Sequence, residues 1–552
     1  MRTPKTPIKL RKLIFLHISE INDSGAFDSQ DKKPVSKRDI SLSISTNESF
    51  FAFVDPLVNW NSPDLRQNFV YRALICLGFG LLSALLILSS FFQKIDTLLV
   101  DQMILLRNGI HTPSPAENLI TVVVDQTAIT PGTSVFASEW NQGGWLTRNN
   151  WIVSLDLIKD YHKPRVIALD VGLGESPTIA MASPHPMIPQ DSFERVRRLQ
   201  DLIQSGNLDL QKKFWELAER RQLGMEAPLP VLGVELIPNG RIERPITQAA
   251  ARDLLLKTVV QSCKIPEGCV RGKFKSPPLS LDKIEMKLPP QEILAAPLLI
   301  GFNLPNSDPE KIPLLIPISI QQNPEQIVYV PTFTLVTYLA SKDISIRGIA
   351  PVGSGSPSLQ VVPGRFIQIQ KGSEIIEIPI DNTGSMRMNP RRQFSDLAPT
   401  PFTAFLEDGL IASQRVSEGR TSNLQNKTIF ITRTYNREES EKAEFEWTAL
   451  DMLYRQDFLK KLDPFFQGMI CICVGLLALF FCTVISDHWH TLGFVVLTIL
   501  YLDAVIILFW SAGLLLPLFL PMLLIFVIER LTSMPRQEGY SIPETKITDM
   551  KD

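Results

Sequence analysis

The chain has 552 residues, of which 45% are hydrophobic and 20% are charged, and its formal net charge is −2. This composition is typical of a folded protein with more than one structural unit, so a largely disordered chain is not expected. A net charge near zero argues against nucleic acid as the main partner.

The first 70 residues are polar and weakly patterned, and stretches such as DSQDKKPVSKRD predict partial disorder. Nine basic residues precede the first long apolar run: Arg2, Lys5, Lys9, Arg11, Lys12, Lys32, Lys33, Lys37 and Arg38. Because cytoplasmic segments next to a membrane span are rich in Lys and Arg, residues 1–70 are predicted to lie in the cytoplasm.

Four long apolar runs predict membrane spans. Ala73–Phe92 contains no charged residue, and at ~1.5 Å per residue it is roughly as long as the hydrocarbon layer is thick, ~30 Å. The predicted spans are residues 71–93, 465–485, 491–510 and 511–529, followed by a tail at 530–552. Four crossings return the C-terminus to the cytoplasm and leave residues 94–464 outside it. Buried helices of a water-soluble protein would explain one such run more readily than four.

Asp503 is the one formal charge within the apolar runs Ala73–Phe92, Phe465–Ile485, Thr491–Trp510 and Ser511–Ile528. An ionised carboxylate in a bilayer costs at least ~2.5 kcal/mol unless it is paired or hydrated. Two interpretations stay open. Asp503 could contact a partner or respond to protons, or it could be protonated and hydrogen-bonded to a neighbouring span.

Outside the membrane, a helical stalk over 93–108 precedes alternating strands and helices. The predicted strands are 119–124, 165–169, 230–236, 297–302 and 428–431, and the predicted helices include 151–161, 192–221, 331–339 and 445–462. Two further short strands flank a turn at Lys371, and residues of about 240–290 are an insertion. Apolar strands separated by helices predict an α/β fold with a mostly parallel sheet covered on both faces.

Polar residues stand at the carboxyl ends of these strands. Asp125, Asp170 and Asn303 each follow an apolar strand, and Arg433 follows another. Ligand-binding crevices of open α/β sheets form at this edge. Each acid could instead cap a helix or turn, whereas together they suggest a shared site or a mutual hydrogen-bonded framework.

Trp145 and Arg148 lie in the loop after the first strand. They could stack on and pair with a planar or anionic ligand. Alternatively, Trp145 packs beneath the loop and Arg148 binds Asp125 or Asp170. All six polar and aromatic residues are therefore ligand-binding candidates.

Cys263 and Cys269 are the cysteines of the outer segment, in the short loop CKIPEGC. They could form a disulfide in an oxidising compartment or remain free thiols. No spacing of histidine and cysteine predicts a metal site, no cofactor motif is found, and no spacing selects a catalytic triad. An enzyme is therefore not predicted, and an outer hydrolase has no supporting motif.

Eight stretches together resemble the CHASE domain family, type 2, over residues of roughly 95–465. In chain order they are VVVDQTAI, GGWLTRNNWIVSLDLI, RVIALDVGLGESP, AAPLLIGFNLPNSDPEKIPLLIP, VYVPTFTLVTYLAS, DNTGSMRMNPR, NKTIFITRT and ALDMLYRQDF. The sequence departs from the family where Thr432 and Arg433 replace the usual glycine after the last strand. The resemblance implies an extracytoplasmic sensory domain of a bacterial multi-pass inner-membrane receptor, which would act as a homodimer.

Family members usually carry a cytoplasmic kinase or cyclase, but no motif of such an output domain is found here. We therefore expect a sensor-like protein that binds an unknown ligand outside and signals through a separate cytoplasmic effector. The first alternative is a non-signalling membrane scaffold for envelope proteins, and the second is an extracytoplasmic hydrolase.

Overall fold

The computed structural model describes residues 63–87, 89–110, 114–125, 148–173, 190–238, 277–280, 284–304, 310–319, 327–344, 358–371, 373–389, 399–415, 424–484 and 489–533. The predictions for Trp145, for the Cys263–Cys269 pair, for residues 1–62 and for most of the insertion lie outside these residues.

The helices are α1 Pro63–Leu86, α2 Ser90–Ile110, α3 Arg148–Leu157, α4 Gln190–Gln222, α5 Gln291–Leu294, α6 Phe333–Ser341, α7 Phe402–Arg415, α8 Arg437–Arg455, α9 Pro464–Val484, α10 His490–Ala512 and α11 Phe519–Ser533. The strands are β1 Leu119–Val124, β2 Val166–Asp170, β3 Leu229–Pro238, β4 Leu279–Ser280, β5 Ile284–Lys287, β6 Leu299–Asn303, β7 Lys311–Pro313, β8 Leu315–Ser319, β9 Ile327–Pro331, β10 Ser358–Val362, β11 Phe366–Lys371, β12 Glu374–Pro379, β13 Ser385–Arg387, β14 Thr400–Pro401, β15 Thr428–Arg433, β16 Lys460–Lys461 and β17 Leu514–Leu515.

A seven-stranded sheet is the centre of the domain between residues 119 and 433. Its order is β14-β1-β15-β2-β3-β5, with β6 also paired to β3. These pairs are parallel except β3 with β5, which is antiparallel. The predicted mixed, mostly parallel sheet is therefore confirmed.

Helices cover both faces of this sheet. All five residues of β2 are buried, and successive side chains of a strand point to opposite faces. Ile167 and Leu169 enter a core with α3, α4 and α7, whereas Val166 and Ala168 enter a second core with α6 and α8. This double burial explains why the strands are continuously apolar.

A close approach of backbones fixes α6 over β6. A side-chain carbon built on Gly301 would lie 2.7 Å from the backbone nitrogen of Phe333. Only glycine therefore lets α6 pack directly on the strand that carries Asn303.

The four-span prediction is wrong for the described residues. Two stretches are long and apolar enough to cross a bilayer, Pro464–Cys482 and Thr491–Ala512. The predicted span at 511–529 fails because Gly513 ends α10 in a left-handed conformation, with φ of 62°. The next helix, Phe519–Ser533, has 15 residues and is ~22 Å long, which is shorter than a bilayer core.

The first predicted span also differs from the structure. The helices Val70–Leu86 and Phe91–Asn108 together could form one broken span or a re-entrant loop, because they are bent by 85°. The helix predicted over 93–108 is present as part of α2, but it does not continue straight from the first apolar helix. Asp96 explains the direction of α2, because its Oδ1 accepts backbone N–H groups of Leu518 at 3.2 Å and Phe519 at 2.8 Å. The start of α11 thereby holds α2 at a sharp angle to α1.

Both connections between the sheet domain and the apolar helices lie at the amino edge of the sheet. The chain enters from α2 through Ala116, whose N–H donates to Asp451 Oδ1 at 2.8 Å. It leaves through the end of α8, where the Tyr454 hydroxyl lies 2.5 Å from Thr428 Oγ1 at the start of β15. The carboxyl edge therefore lies at the opposite end of the sheet from these connections.

Candidate functional site at the carboxyl edge of the sheet

Three neighbouring strand ends bring polar side chains together around Asp170. Asn303 Nδ2 donates to Asp170 Oδ1 at 3.0 Å, and Thr432 Oγ1 donates to Asp170 Oδ2 at 3.4 Å. All three residues are buried. Gly233 leaves the space between them, because a side-chain carbon there would lie 3.1 Å from both Asn303 Nδ2 and Asp170 Oδ1.

Helix α8 adds two titratable groups that the sequence analysis missed. Lys442 Nζ donates to Asp170 Oδ1 at 2.9 Å. One turn later, Glu446 is 5% exposed, and its Oε2 atom has no hydrogen-bond partner within the described residues. Residues four apart share one helix face, and the buried Ala443 and Trp447 beside them marked this face as inward. That signal was available in the sequence.

Burial and neighbouring charges shift the pKa values of Glu446 and Lys442 in this Asp170 cluster. Burial raises the pKa of Glu446 well above its ordinary value, and Asp170 raises it further while Lys442 lowers it. Burial lowers the pKa of Lys442, but Asp170 and Glu446 outweigh burial and leave it raised. These shifts favour the charged form of Lys442 beside Asp170 and the neutral, protonated form of Glu446.

Arg148 and Arg433 line a second feature of the same edge, a narrow cleft shared with Trp151, Gly172 and Tyr435. Its volume of about 10 Å³ suits about one water molecule. Arg148 donates from Nε to Asn207 Oδ1 at 2.8 Å and from one NH2 group to the Leu173 carbonyl at 2.7 Å. Burial lowers the pKa of Arg148 to about 10.

Arg433 is held on the other side of this cleft. It lies 3.3 Å from Glu439 and 5.8 Å from the Tyr435 ring centre. Asp125 is half-buried just after β1. Burial raises the pKa of Tyr435, Arg433 lowers it, and Glu439 and Asp125 raise it further, so that the net shift is upward.

A family model described as the CHASE2 domain matches residues 76–453. The chain belongs to the CHASE2 domain family. This family consists of extracytoplasmic sensory domains, and the resemblance seen in the sequence is confirmed. Comparison with curated proteins and with solved structures gave no match.

The CHASE2 domain brings some of the predicted site residues together and separates others. Asp170 and Asn303 bind each other, and Arg148 and Arg433 line one cleft. Among the described residues, Arg148 binds Asn207 and Leu173 rather than Asp125 or Asp170. The Asp170 oxygens already accept three donors, so this part of the edge is a hydrogen-bonded framework as well as a candidate binding surface.

The described part of the CHASE2 domain holds no group of three His, Cys, Asp or Glu side chains arranged for a metal ion. The groups of the Asp170 cluster are suited to hold or release a proton and to bind polar ligand atoms. They offer no nucleophile with an adjacent base.

Asp503 lies on α10, outside the CHASE2 match, and its side chain is exposed. Leu500 and Ile507 on the same face are 57% and 62% exposed. Within the described residues Asp503 has no hydrogen bond or ion pair, so it faces away from the neighbouring apolar helices.

Proposed function

We propose that the protein is a membrane-anchored sensor whose CHASE2 domain binds a ligand outside the cytoplasm and signals through a separate partner. We place it in a bacterial inner membrane, with the basic N-terminal segment in the cytoplasm. The candidate binding surface is the carboxyl edge, including Asp125, Arg148 and Arg433.

Helix α8 carries this proposal, because one rigid element links the candidate surface to the apolar helices. It has 19 residues and is therefore ~28 Å long. Lys442 near its start binds Asp170, whereas Asp451 and Tyr454 near its end contact the amino edge. The chain continues from α8 into the apolar helix α9, which begins at Pro464.

A ligand that changes the hydrogen bonding of Asp170 would therefore move or release Lys442 and shift α8 as a body. Such a shift is passed to α9 through residues 456–463, which connect the two helices. The ligand can favour one arrangement only by the difference between its affinities for the two.

The exposed position of Asp503 on α10 supports the existence of a separate protein partner. An acid on the outer face of an apolar helix is costly in lipid, and a second protein or a second copy of this chain would shield it. The partner is then expected to supply a hydrogen-bonding or basic group at that depth.

Affinity capture of the full-length protein from native membranes tests this function. A sensor recovers a kinase, cyclase or other regulator, and Lys442→Met changes that recovery because it breaks the contact between α8 and Asp170. Lys212→Met is the matched control, since Lys212 is 77% exposed on α4. Recovery of envelope proteins alone, unaffected by Lys442→Met, would instead support a scaffold.

The scaffold is kept as a second candidate because of one observation. The Asp170 oxygens are filled by groups of the domain itself, as expected of a framework that maintains shape. A phosphatase fused after Lys461, active only outside the cytoplasm, tests the orientation common to both candidates.

A further inference from the structure

A large cleft lies at the opposite, amino edge of the sheet. Its volume is about 520 Å³, which is within the range of small-molecule sites. The starts of β3 and β6 form its floor through Leu229 and Leu299, and the ends of α4 and α6 form its walls. The cleft therefore combines an apolar floor with the polar termini of two helices.

Unusual backbone conformations are concentrated in this cleft. Four described residues other than glycine have positive φ, and three of them line it: Lys163 at 46°, Asp343 at 55° and Asn426 at 65°. Asp and Asn tolerate this conformation, but lysine does so poorly. Lys163 ends the π-helical turn Ile158–His162, which continues α3. Glycine is the usual residue at such a helix end, so the sequence keeps a long cationic side chain where glycine would be less strained.

Two arginines share one carboxylate in the cleft. Arg165 and Arg221 both bind Asp343, and Lys371 Nζ lies 3.4 Å from Asp343 Oδ2. Burial raises the pKa of Asp343, but the three cations outweigh burial and lower it. Arg165 uses Nε and one NH2 group on Asp343, so other N–H donors of its five-donor guanidinium remain for a ligand.

The charges of the cleft do not balance. Four cations lie in or beside it: Lys163, Arg165, Arg221 and Lys371. The opposing charges are those of Asp343 and Glu226 and the carbonyl ends of three helical segments, those of α4, of α6 and of the turn before Lys163, each equivalent to about half a negative charge. An excess of about half a positive charge remains.

We propose that this cleft binds an oxyanion, either a carboxylate or a phosphate ester, that carries an apolar group. The guanidinium N–H groups and the Lys163 ammonium bind the oxyanion, and the floor at Leu229 and Leu299 contacts the apolar group. The Lys163 side chain is exposed, and within the described residues its ammonium makes no hydrogen bond or ion pair. The positive excess of the cleft attracts the negative charge of the ligand.

Two sources offer this chemistry, a soluble metabolite and the headgroup of an anionic lipid. The cleft opens at the edge from which both connections to the apolar helices leave, so a headgroup is a candidate beside a soluble anion. The site is separate from the carboxyl edge, and the inference does not depend on the proposed function.

The test uses the full-length protein in nanodiscs. In phosphatidylcholine nanodiscs, hexanoate and butyl phosphate are titrated by calorimetry. In a second arm, the thermal midpoint is compared between phosphatidylcholine nanodiscs with and without phosphatidylglycerol. Binding in the first arm identifies a soluble ligand, and stabilisation in the second arm alone identifies a lipid.

Lys163→Gly is the decisive variant, because it relieves the backbone and removes the ammonium. We expect affinity for the effective probe to fall at least about tenfold, the usual effect of losing one charge-assisted contact, while the fold remains intact. Gln456→Gly is the matched control, since Gln456 also has positive φ, at 55°, but lies outside the cleft. Absence of an effect in both arms, or equal losses in the two variants, would overturn the proposal.

Discussion

Glu446→Gln is expected to stabilise the CHASE2 domain at neutral pH and to remove a pH dependence from it. Glutamine has nearly the shape of a protonated glutamate but cannot ionise. Glu446 is 5% exposed, and burial raises its pKa well above the ordinary value of 4.5. Deprotonation of the native protein therefore places an additional negative charge beside Asp170.

Linkage gives the sign and size of the effect. The folded-state pKa of Glu446 lies above its unfolded value of 4.5, so its contribution to stability is complete below that pH. The contribution is lost as the pH rises toward the folded-state pKa. Each pH unit in this window removes ~1.4 kcal/mol for one proton, hence ~3 kcal/mol over two units.

The thermal midpoint of the full-length protein in nanodiscs, measured from about pH 4.5 upward, is the assay. With an unfolding entropy of ~2.1 cal/mol/K per residue, ~3 kcal/mol corresponds to ~4 °C for a domain of roughly 350 residues. The wild type should lose this amount relative to Glu446→Gln over two pH units. Glu441→Gln is the control, because Glu441 is 64% exposed on the same helix.

A constant difference between wild type and Glu446→Gln at every pH would refute this reasoning. It would mean that Glu446 binds the same number of protons in the folded and unfolded states, so that folding does not shift its pKa. A midpoint lowered by Glu446→Gln at all pH values would show that the ionised carboxylate stabilises the cluster.

Three further changes test other parts of the structure. Gly301→Ala should cost at least ~3 kcal/mol because the new methyl group would overlap the Phe333 backbone, whereas Gly78→Ala, with open space around it, should not lower the thermal midpoint. Asn436→Ala should cost ~1 kcal/mol in urea unfolding, because the Asn436 side chain caps α8 by accepting a backbone N–H at 2.9 Å. Asp503→Leu should weaken cross-linking to a partner or second copy while leaving the midpoint of the outer domain unchanged, and a lowered midpoint would place Asp503 in a contact within the chain.

The sheet was predictable because strands that are buried on both faces are continuously apolar, and this pattern is visible in the sequence. The runs ending at Asp170 and Asn303 are apolar at every strand position, and a parallel sheet brings their ends to one edge. Lys442 was missed because the predicted helix began at residue 445, whereas α8 begins at Arg437. The inward face of α8 is fixed by packing around Trp447, which is 2% exposed.

The membrane portion was less predictable because hydropathy reports composition and not helix continuity. Residues 511–529 are apolar, yet Gly513 ends one helix and Leu514–Leu515 pair with Lys460–Lys461. The bend after α1 depends on Asp96, whose partners Leu518 and Phe519 are more than four hundred residues away. No local pattern contains a contact between such distant positions.

The two edges of the sheet are joined by packing through α8 and α6. Tyr454 near the end of α8 packs edge-on against Tyr338 of α6, with ring centres 5.6 Å apart, and Asp343 follows the end of α6. Lys442, at the other end of α8, binds Asp170. A ligand that shifts α8 at the carboxyl edge would therefore also displace α6, the helix that positions Asp343. The coupling free energy between two sites is the same in both directions. An oxyanion bound at the amino edge would therefore change ligand affinity at the Asp170 cluster by the same factor by which a ligand at the cluster changes oxyanion affinity.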